Sequence, residues 1–487
     1  MTPLHPLLEP GWQYAVLPEL ILSFGGMLLI LFDAFLPRAK AALAPLGLIV
    51  FIITAWSENL FIRGGLWFGG TYEISAITMI FDLTFLLAGM LALLFARDYL
   101  DREGIEGGEF YALLMWGTVG MMMMAKGLDL LIIVLGLEIL SICIFVLVGY
   151  HRRMPVSNEA SLKYFLMGAF ATGFVLYGTA LFYGATASTN ISVMGRWFQT
   201  AQATPLLTIA FVLLMSGFGF KLALAPFHPW APDVYQGAPT PVAGWLSVAP
   251  KAATLIVLVR LFNAMGPVLP KVNWMGMVAA LAILSMIVGN AVAIVQRDLK
   301  RMLAYSGIAH VGYMMIAMLT IREDSVAAVA VYTITYALMN IGAFGVVSLL
   351  IKNENDPHTL DDIAGLGFRH KFYGFALALC MFSLSGLPPT AGFISKFYIF
   401  KTAIESGHTT VALIGILTSI VSVYYYLRVV YYLYMKEPAE GYEVSSAGGV
   451  FAAGALTIAV AGILAIGLFP TPLFQAAGNA ARVLLQQ

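Results

Sequence analysis

Apolar residues in this chain fall into runs of membrane-spanning length, separated by short polar stretches or by breaks carrying glycine and proline. A bilayer core takes roughly 20 apolar residues per helix, so each run predicts one crossing. Fourteen segments are expected, over 14–35, 42–62, 75–96, 109–125, 128–150, 160–184, 205–238, 241–263, 273–296, 301–321, 325–351, 372–404, 408–434 and 448–470. The runs 205–238 and 372–404 would each extend roughly 45–50 Å as continuous helix, beyond the hydrocarbon thickness. Both contain prolines, which remove backbone donors and clash with the preceding turn: APFHPWAP at 225–232 and SGLPPTAG at 385–392. The pattern therefore predicts discontinuous seventh and twelfth helices. In transporters, a pair of interrupted segments at corresponding places in two halves points to an ion site and an inverted repeat. The expected fold class is an all-α polytopic membrane protein with about 14 transmembrane helices, in which helices 4–8 and 9–13 form two inverted five-helix repeats. The chain then divides into residues 1–105 (helices 1–3), 106–265 (first repeat), 270–436 (second repeat) and 445–487 (helix 14).

Composition agrees with the pattern. Of 487 residues, 60% are hydrophobic and 11% charged, with a mean hydropathy of +0.87, whereas soluble domains carry about 25% charged residues. Net charge is zero, which gives no basic footprint for nucleic acid. Cys143 and Cys380 lie singly in apolar runs and read as packing residues, not as a disulfide framework, cluster or zinc site. The N-terminal MTPLHPLLEPGWQ lacks the positive region of a secretory signal, so the first run reads as a retained helix. Lys and Arg favour the loops that lie inside when both termini are outside, by about two to one. No Walker motif, GxGxxG after a strand, HExxH or ligand-spaced histidine pair is present, so no site for a nucleotide, flavin, haem or metal is visible.

A charge at the bilayer centre costs roughly 2.5–3.5 kcal/mol on insertion scales, so intramembrane charges are functional candidates by default. Lys221 sits beside the first break, Lys251 lies in LSVAPKAATLIVLV of the eighth segment, Lys396 follows the second break, and Glu138 lies near the middle of the fifth. A desolvated lysine can exchange its proton where an arginine cannot, and Glu138 is a partner for one of the lysines. The competing reading is a buried ion pair that only fixes helix packing. His310 can relay protons or be a core histidine satisfied by a tyrosine or serine. His228, inside the first break, can line water or cap freed backbone groups. Lys163 reads equally as a snorkelling anchor and as part of a proton entrance. Asp82 reads as a packing contact ahead of a proton relay, and the tyrosines of 421–435 as an interfacial belt ahead of a wet polar stripe.

The runs FKLALAPFHPWAPDVYQGAPTPV (220–242), SVAPKAA (247–253), YSGIAHVGY (305–313) and LSGLPPTAGFISKFYIF (384–400) closely resemble the N-type antiporter-like subunits of bacterial proton-pumping NADH:quinone oxidoreductase, respiratory complex I. The resemblance covers the whole chain, and DVYQGAP is the part most specific to the N-type. With the sequence ending soon after the fourteenth segment, the long lateral helix of the L-type is not expected. The resemblance implies a membrane-arm subunit that translocates protons, driven by quinone reduction elsewhere. NADH, FMN, iron-sulfur clusters and quinone would belong to other subunits, with no cofactor here. It implies Glu138 and Lys221 as a coupled ion pair, Lys251 as the central connecting lysine and Lys396 as the terminal lysine of the outer half-channel. The implied partners are the M-type and K/J/A-type neighbours, the lateral helix of the L-type subunit and lipid. The implied location is the bacterial inner membrane, with both termini periplasmic. A module of a multi-subunit sodium/proton antiporter, or of a hydrogenase- or ferredoxin-linked complex, is the alternative; a third reading is a scaffold that only transmits movement.

Overall fold

Inside hydrocarbon a backbone must satisfy its own donors and acceptors, which a helix does within one segment. The computed structural model describes residues 11–60, 64–105, 107–200, 204–266, 274–350, 358–437 and 449–485. It is an all-α polytopic membrane fold. After a single turn, α1 (Trp12–Ala15), come α2 (Leu17–Phe35) and α3 (Leu43–Leu60). A small antiparallel hairpin, β1 (Gly65–Trp67) and β2 (Tyr72–Ile74), leads into α4 (Ala76–Glu103). Then follow α5 (Gly108–Lys126), α6 (Leu130–Val148), α7 (Pro155–Thr186), the short α8 (Ile191–Thr200), α9 (Pro205–Leu222), α10 (Trp230–Gly237), α11 (Thr240–Leu246) and α12 (Ala249–Met265). The remainder is α13 (Trp274–Val295), α14 (Leu299–Ala317), α15 (Glu323–Ser348), the single turn α16 (Leu366–Arg369), α17 (Lys371–Ser385), α18 (Ala391–Glu405), α19 (Thr409–Tyr434), α20 (Val450–Leu468) and α21 (Thr471–Leu485).

Every apolar run of the sequence carries helix. Among the described residues, eleven helical stretches are long and apolar enough to cross a membrane. The start of the chain, residues 1–10, and the IKNEN run at 351–355 lie outside the described residues. Both expected interruptions are present, between α9 and α10 and between α17 and α18. A third was not expected: the run 241–263 is divided between α11 and α12, at Ser247 and Val248. Pro250 occupies the first turn of α12, where its missing N–H is tolerated. Two other features lie outside the apolar pattern, the hairpin and the amphipathic α21 that packs on α15 and α4.

Helix starts follow local chemistry. Asp129 caps α6 by accepting from Leu131 N at 2.9 Å, and Asp298 caps α14 by accepting from Arg301 N at 2.8 Å; such caps satisfy donors that the first turn leaves free. Small residues let helices approach closely. A methyl added at Gly120 of α5 would lie 2.6 Å from the Gly136 carbonyl oxygen of α6. The deepest elements are central: the apolar window of Thr240–Met265 is 100% buried and that of Glu323–Ser348 94%. Large apolar side chains point outward on α2, α7 and α19, among them Phe24, Phe170 and Ile420, as lipid-facing helices require. Cys143 and Cys380 are buried and free.

Candidate functional site

Each of the three lysines singled out by the sequence is buried beside a helix break. Lys221 is the penultimate residue of α9 and 4% exposed. The helix ends one residue later because Ala223 adopts φ 57°, with its N–H bonded to the Phe220 carbonyl and that of Leu224 to Gly219. Trp230, at the start of α10, folds back over this end. Its Nε1 donates to Phe220 O at 3.0 Å, and its ring stacks on Tyr164 of α7 at 4.5 Å. Ser285 of α13 satisfies the freed Ala225 N–H at 2.9 Å. Lys221 Nζ donates to Ser141 Oγ at 2.7 Å and lies over the Phe145 and Tyr164 rings at 5.5 and 5.8 Å.

The expected Glu138–Lys221 ion pair is not formed as a direct contact. Ser141, one turn further along α6, occupies the ammonium instead. Glu138 is half-buried with its Oε1 unpartnered among the described residues, near enough to act on Lys221 through space.

Lys251 lies in the first turn of α12, directly after the unexpected break, and is 2% exposed. Ser247 at that break accepts from Asn340 Nδ2 of α15 at 2.6 Å. Lys251 Nζ has no hydrogen-bond partner among the described residues, and neither do the hydroxyls of Tyr235 and Tyr336, whose rings it overlies at 5.8 and 6.0 Å. Lys396, in the second turn of α18, is 5% exposed. The break supplies its acceptors: Nζ donates to Leu384 O at 2.8 Å and Ser385 O at 3.1 Å, the carbonyls freed at the end of α17, and to Ser419 Oγ at 3.0 Å. Gly386, at φ +85°, makes that end possible, since only glycine takes this conformation without strain. A cavity of about 590 Å³ beside Lys396 is lined by Phe393, Phe397, Phe400, Ile416 and Ile420.

One continuous row of side chains joins the three. From Lys221 it passes over Tyr164, stacked on Trp230, and on to Tyr235 at 6.2 Å, which Lys251 overlies. From Lys251 it continues over Tyr336, whose ring is 5.0 Å from His310, then to Tyr313 at 5.7 Å, over which Lys396 lies at 5.2 Å. Both His310 ring nitrogens are bonded, Nδ1 to Tyr332 Oη at 2.8 Å and Nε2 to Tyr426 Oη at 3.0 Å. Tyr426 also bonds Ser306. Tyr425 donates to Asn290, which donates to Tyr313 at 3.0 Å. The interfacial belt expected of the 421–435 tyrosines is therefore only partly correct. Tyr424 and Tyr431 face outward, whereas Tyr425 and Tyr426 are fully buried, because a helix aims neighbouring side chains in different directions.

Residues 127–422 match the sequence profile described as NADH:quinone oxidoreductase/Mrp antiporter, TM. The NADH-quinone oxidoreductase subunit N of Trichlorobacter lovleyi is 40% identical over 478 residues, covering 96% of this chain and 97% of that one. This chain belongs to the NADH:quinone oxidoreductase/Mrp antiporter transmembrane family. A chain of respiratory complex I from Thermus thermophilus superposes with a TM-score of 0.81 at 34% identity, covering 95% of this chain and 99% of that one. A chain of the Mrp complex from Dietzia superposes at 0.81 with 17% identity, covering 98% and 97%, which is a likeness of fold.

In this member of the NADH:quinone oxidoreductase/Mrp antiporter family, the DVYQGAP motif has a visible purpose. Tyr235 lies against Lys251, while Asp233 accepts from Arg301 at 2.7 Å and from Lys163 at 3.2 Å. Gln236 accepts from the same Arg301 at 3.0 Å. Lys163 also pairs with Glu159 at 2.7 Å and is 45% exposed, so it joins a surface network at the end of α10 and not the buried row. His228 is half-buried in the break between α9 and α10, its ring 6.5 Å from Tyr305 of α14. Sequence reasoning missed Lys300, buried and donating to Ala238 O at 2.7 Å, and a set of buried charges around Lys126. Both sit at the ends of apolar runs, where a charge ordinarily marks only the loop; the signal available was several such charges at the same end of neighbouring runs. Asp82, expected as a packing contact, belongs to the Lys126 set.

Proposed function

We propose that this chain is the N-type proton-translocating subunit in the membrane arm of a bacterial NADH:quinone oxidoreductase, respiratory complex I. The subunit N relatives at 40% identity support the assignment. The observation that carries the mechanism is the row of three buried lysines, each at a helix break and joined through aromatic and hydroxyl groups. Redox chemistry and its cofactors, NADH, FMN, iron-sulfur clusters and quinone, belong to other subunits on this reading, and the present chain converts their conformational energy into proton movement.

A proton loads Lys221, passes to Lys251 and then to Lys396, and leaves outward. Lys221 holds its proton against Ser141, and movement of Glu138 toward or away from it strengthens or weakens that hold. Tyr235 and Tyr336 bring unpartnered hydroxyls to Lys251, which a water can bridge. His310, held between Tyr332 and Tyr426, stands between Lys251 and Lys396. The freed carbonyls of α17 hold an ammonium at Lys396 until it discharges. Irregular backbone is tolerated at membrane depth where it lines a hydrated space, and the breaks supply it.

The two halves, 106–265 and 270–436, are supported by matching local features. Asp129 and Asp298 cap the fifth and tenth segments, and each forms an isolated bridge, to Asn190 and Thr359. The seventh and twelfth segments both end in a left-handed residue before the break. The chain would lie in the bacterial inner membrane with both termini periplasmic, beside M-type and K/J/A-type neighbours and the lateral helix of the L-type subunit. In the assembled complex, Lys221→Ala is expected to lower NADH-driven proton pumping and quinone reduction together. Wild-type values of both would remove Lys221 from the pathway.

A further inference from the structure

The lysine row leaves a second group of buried charges unused, at the hairpin end of the first helices. Lys126, the last residue of α5, is fully buried. Its Nζ lies 2.9 Å from Glu19 Oε1, 3.0 Å from Glu58 Oε1 and 2.8 Å from Asp82 Oδ2. Glu58 and Asp82 have no exposed surface and Glu19 keeps 5%. Tyr72 of β2 donates its hydroxyl to Glu19 at 2.6 Å. Burial and the Glu19 carboxylate hold that phenol well above its ordinary range, so it stays a donor. One ammonium therefore faces three carboxyl groups. Ionising all three would leave two uncompensated negative charges in a dry interior, which desolvation opposes strongly.

A second observation concerns the carboxyl oxygens themselves. Glu58 Oε2 and Asp82 Oδ1 are buried without a hydrogen-bond partner among the described residues. The two carboxyl groups converge on one ammonium, 3.0 and 2.8 Å from Lys126 Nζ. Ionised carboxylates only accept hydrogen bonds, and oxygens that no donor meets, beside a single ammonium shared by three carboxyl groups, favour a proton held between two of them. We propose that Glu58 and Asp82 share an exchangeable proton, which makes the Lys126 cluster a fourth protonatable station of the subunit.

The cluster is linked to the lysine row through one helix. Arg260 lies on α12, the helix that carries Lys251, and pairs with Glu73 of β2 at 3.0 Å, both side chains 1% exposed. Arg260 is also within electrostatic range of Asp82 and Tyr72. The groups facing the shared proton are thus Lys126, Glu19, Tyr72 and the Arg260–Glu73 pair. Displacement of α12 at Lys251 would move Arg260 against the cluster and alter its hold on the proton.

The inference rests on the proton-translocating reading above, and its test is arranged to separate the two. Glu58→Gln and Asp82→Asn are made in the complete complex, with Lys221→Ala beside them. Assembly, the ratio of protons pumped to NADH oxidised, and the infrared band of protonated carboxyl groups are measured. A neutral amide replaces a protonated acid with little change of shape, so both variants should assemble, lose a carboxyl band and pump fewer protons per NADH. An assembled variant that keeps the wild-type ratio and every carboxyl band overturns the shared proton. So does failure of both variants to assemble, because a proton-sharing pair must accept an amide at one position. Lowered pumping and turnover in Lys221→Ala with wild-type behaviour in Glu58→Gln and Asp82→Asn sinks the cluster alone, whereas wild-type pumping and turnover in Lys221→Ala count against the underlying function.

Discussion

The three lysines differ in what meets the ammonium group. Lys221 has a hydroxyl, Lys396 two carbonyls and a hydroxyl, and Lys251, among the described residues, two aromatic faces and no hydrogen-bond partner. Gly307 lets Lys251 and Tyr336 approach: a methyl there would lie 2.9 Å from both Lys251 Nζ and Tyr336 Oη. Overpacking of this kind costs about 1–3 kcal/mol, and each 1.36 kcal/mol added to a barrier slows a step about tenfold. Gly307→Ala should therefore assemble and slow NADH-driven turnover by about tenfold if the cost falls on proton transfer, while unchanged turnover would show that Lys251 does not need this room. At this scale the burial of Lys221, Lys251 and Lys396 was legible, because each stands inside an apolar run. It was illegible for Lys126, Glu58 and Glu19, which lie at the ends of runs. Their burial comes from the hairpin and from neighbouring helices, which one segment cannot reveal. Tyr425 and Tyr426 were hidden for a related reason, since which side of α19 faces inward is set by its partners.

In the proposed relay the breaks are the elements that make the lysines usable. Two were visible as prolines inside runs too long to cross straight. The third, at Ser247 and Val248, was not, because the run 241–263 has an ordinary length and Pro250 sits where a helix start accepts proline. Its position is held from outside by Asn340. Trp230 holds the first break in the same manner, through the Phe220 carbonyl and the Tyr164 ring. Removing a buried tryptophan typically costs about 3–5 kcal/mol. Trp230→Ala should lower the temperature at which the assembled complex loses turnover, and it should interrupt the row between Lys221 and Lys251. A variant with wild-type heat inactivation and wild-type pumping would mean that the aromatic contact neither fixes the break nor serves the pathway.

For the molecule as a whole, burial places the chemistry. The Thr240–Met265 and Glu323–Ser348 stretches lie almost entirely inside the protein; they carry Lys251 on one side and Tyr332 and Tyr336 on the other, so the central station is also the most enclosed. Helices α2 and α19 bury far less of themselves. The all-α polytopic class was readable from the length and recurrence of apolar runs, because the bilayer allows few alternatives. The hairpin and α21 were not, since neither is long and apolar enough to leave a mark in that pattern. The relay requires Lys251 to accept a proton between the two flanking lysines, and Lys251→Met keeps the stem while removing the proton site. The ratio of protons pumped to NADH oxidised should fall in the assembled Lys251→Met complex, with turnover lowered or uncoupled. A wild-type ratio at wild-type turnover would contradict a path through the three lysines.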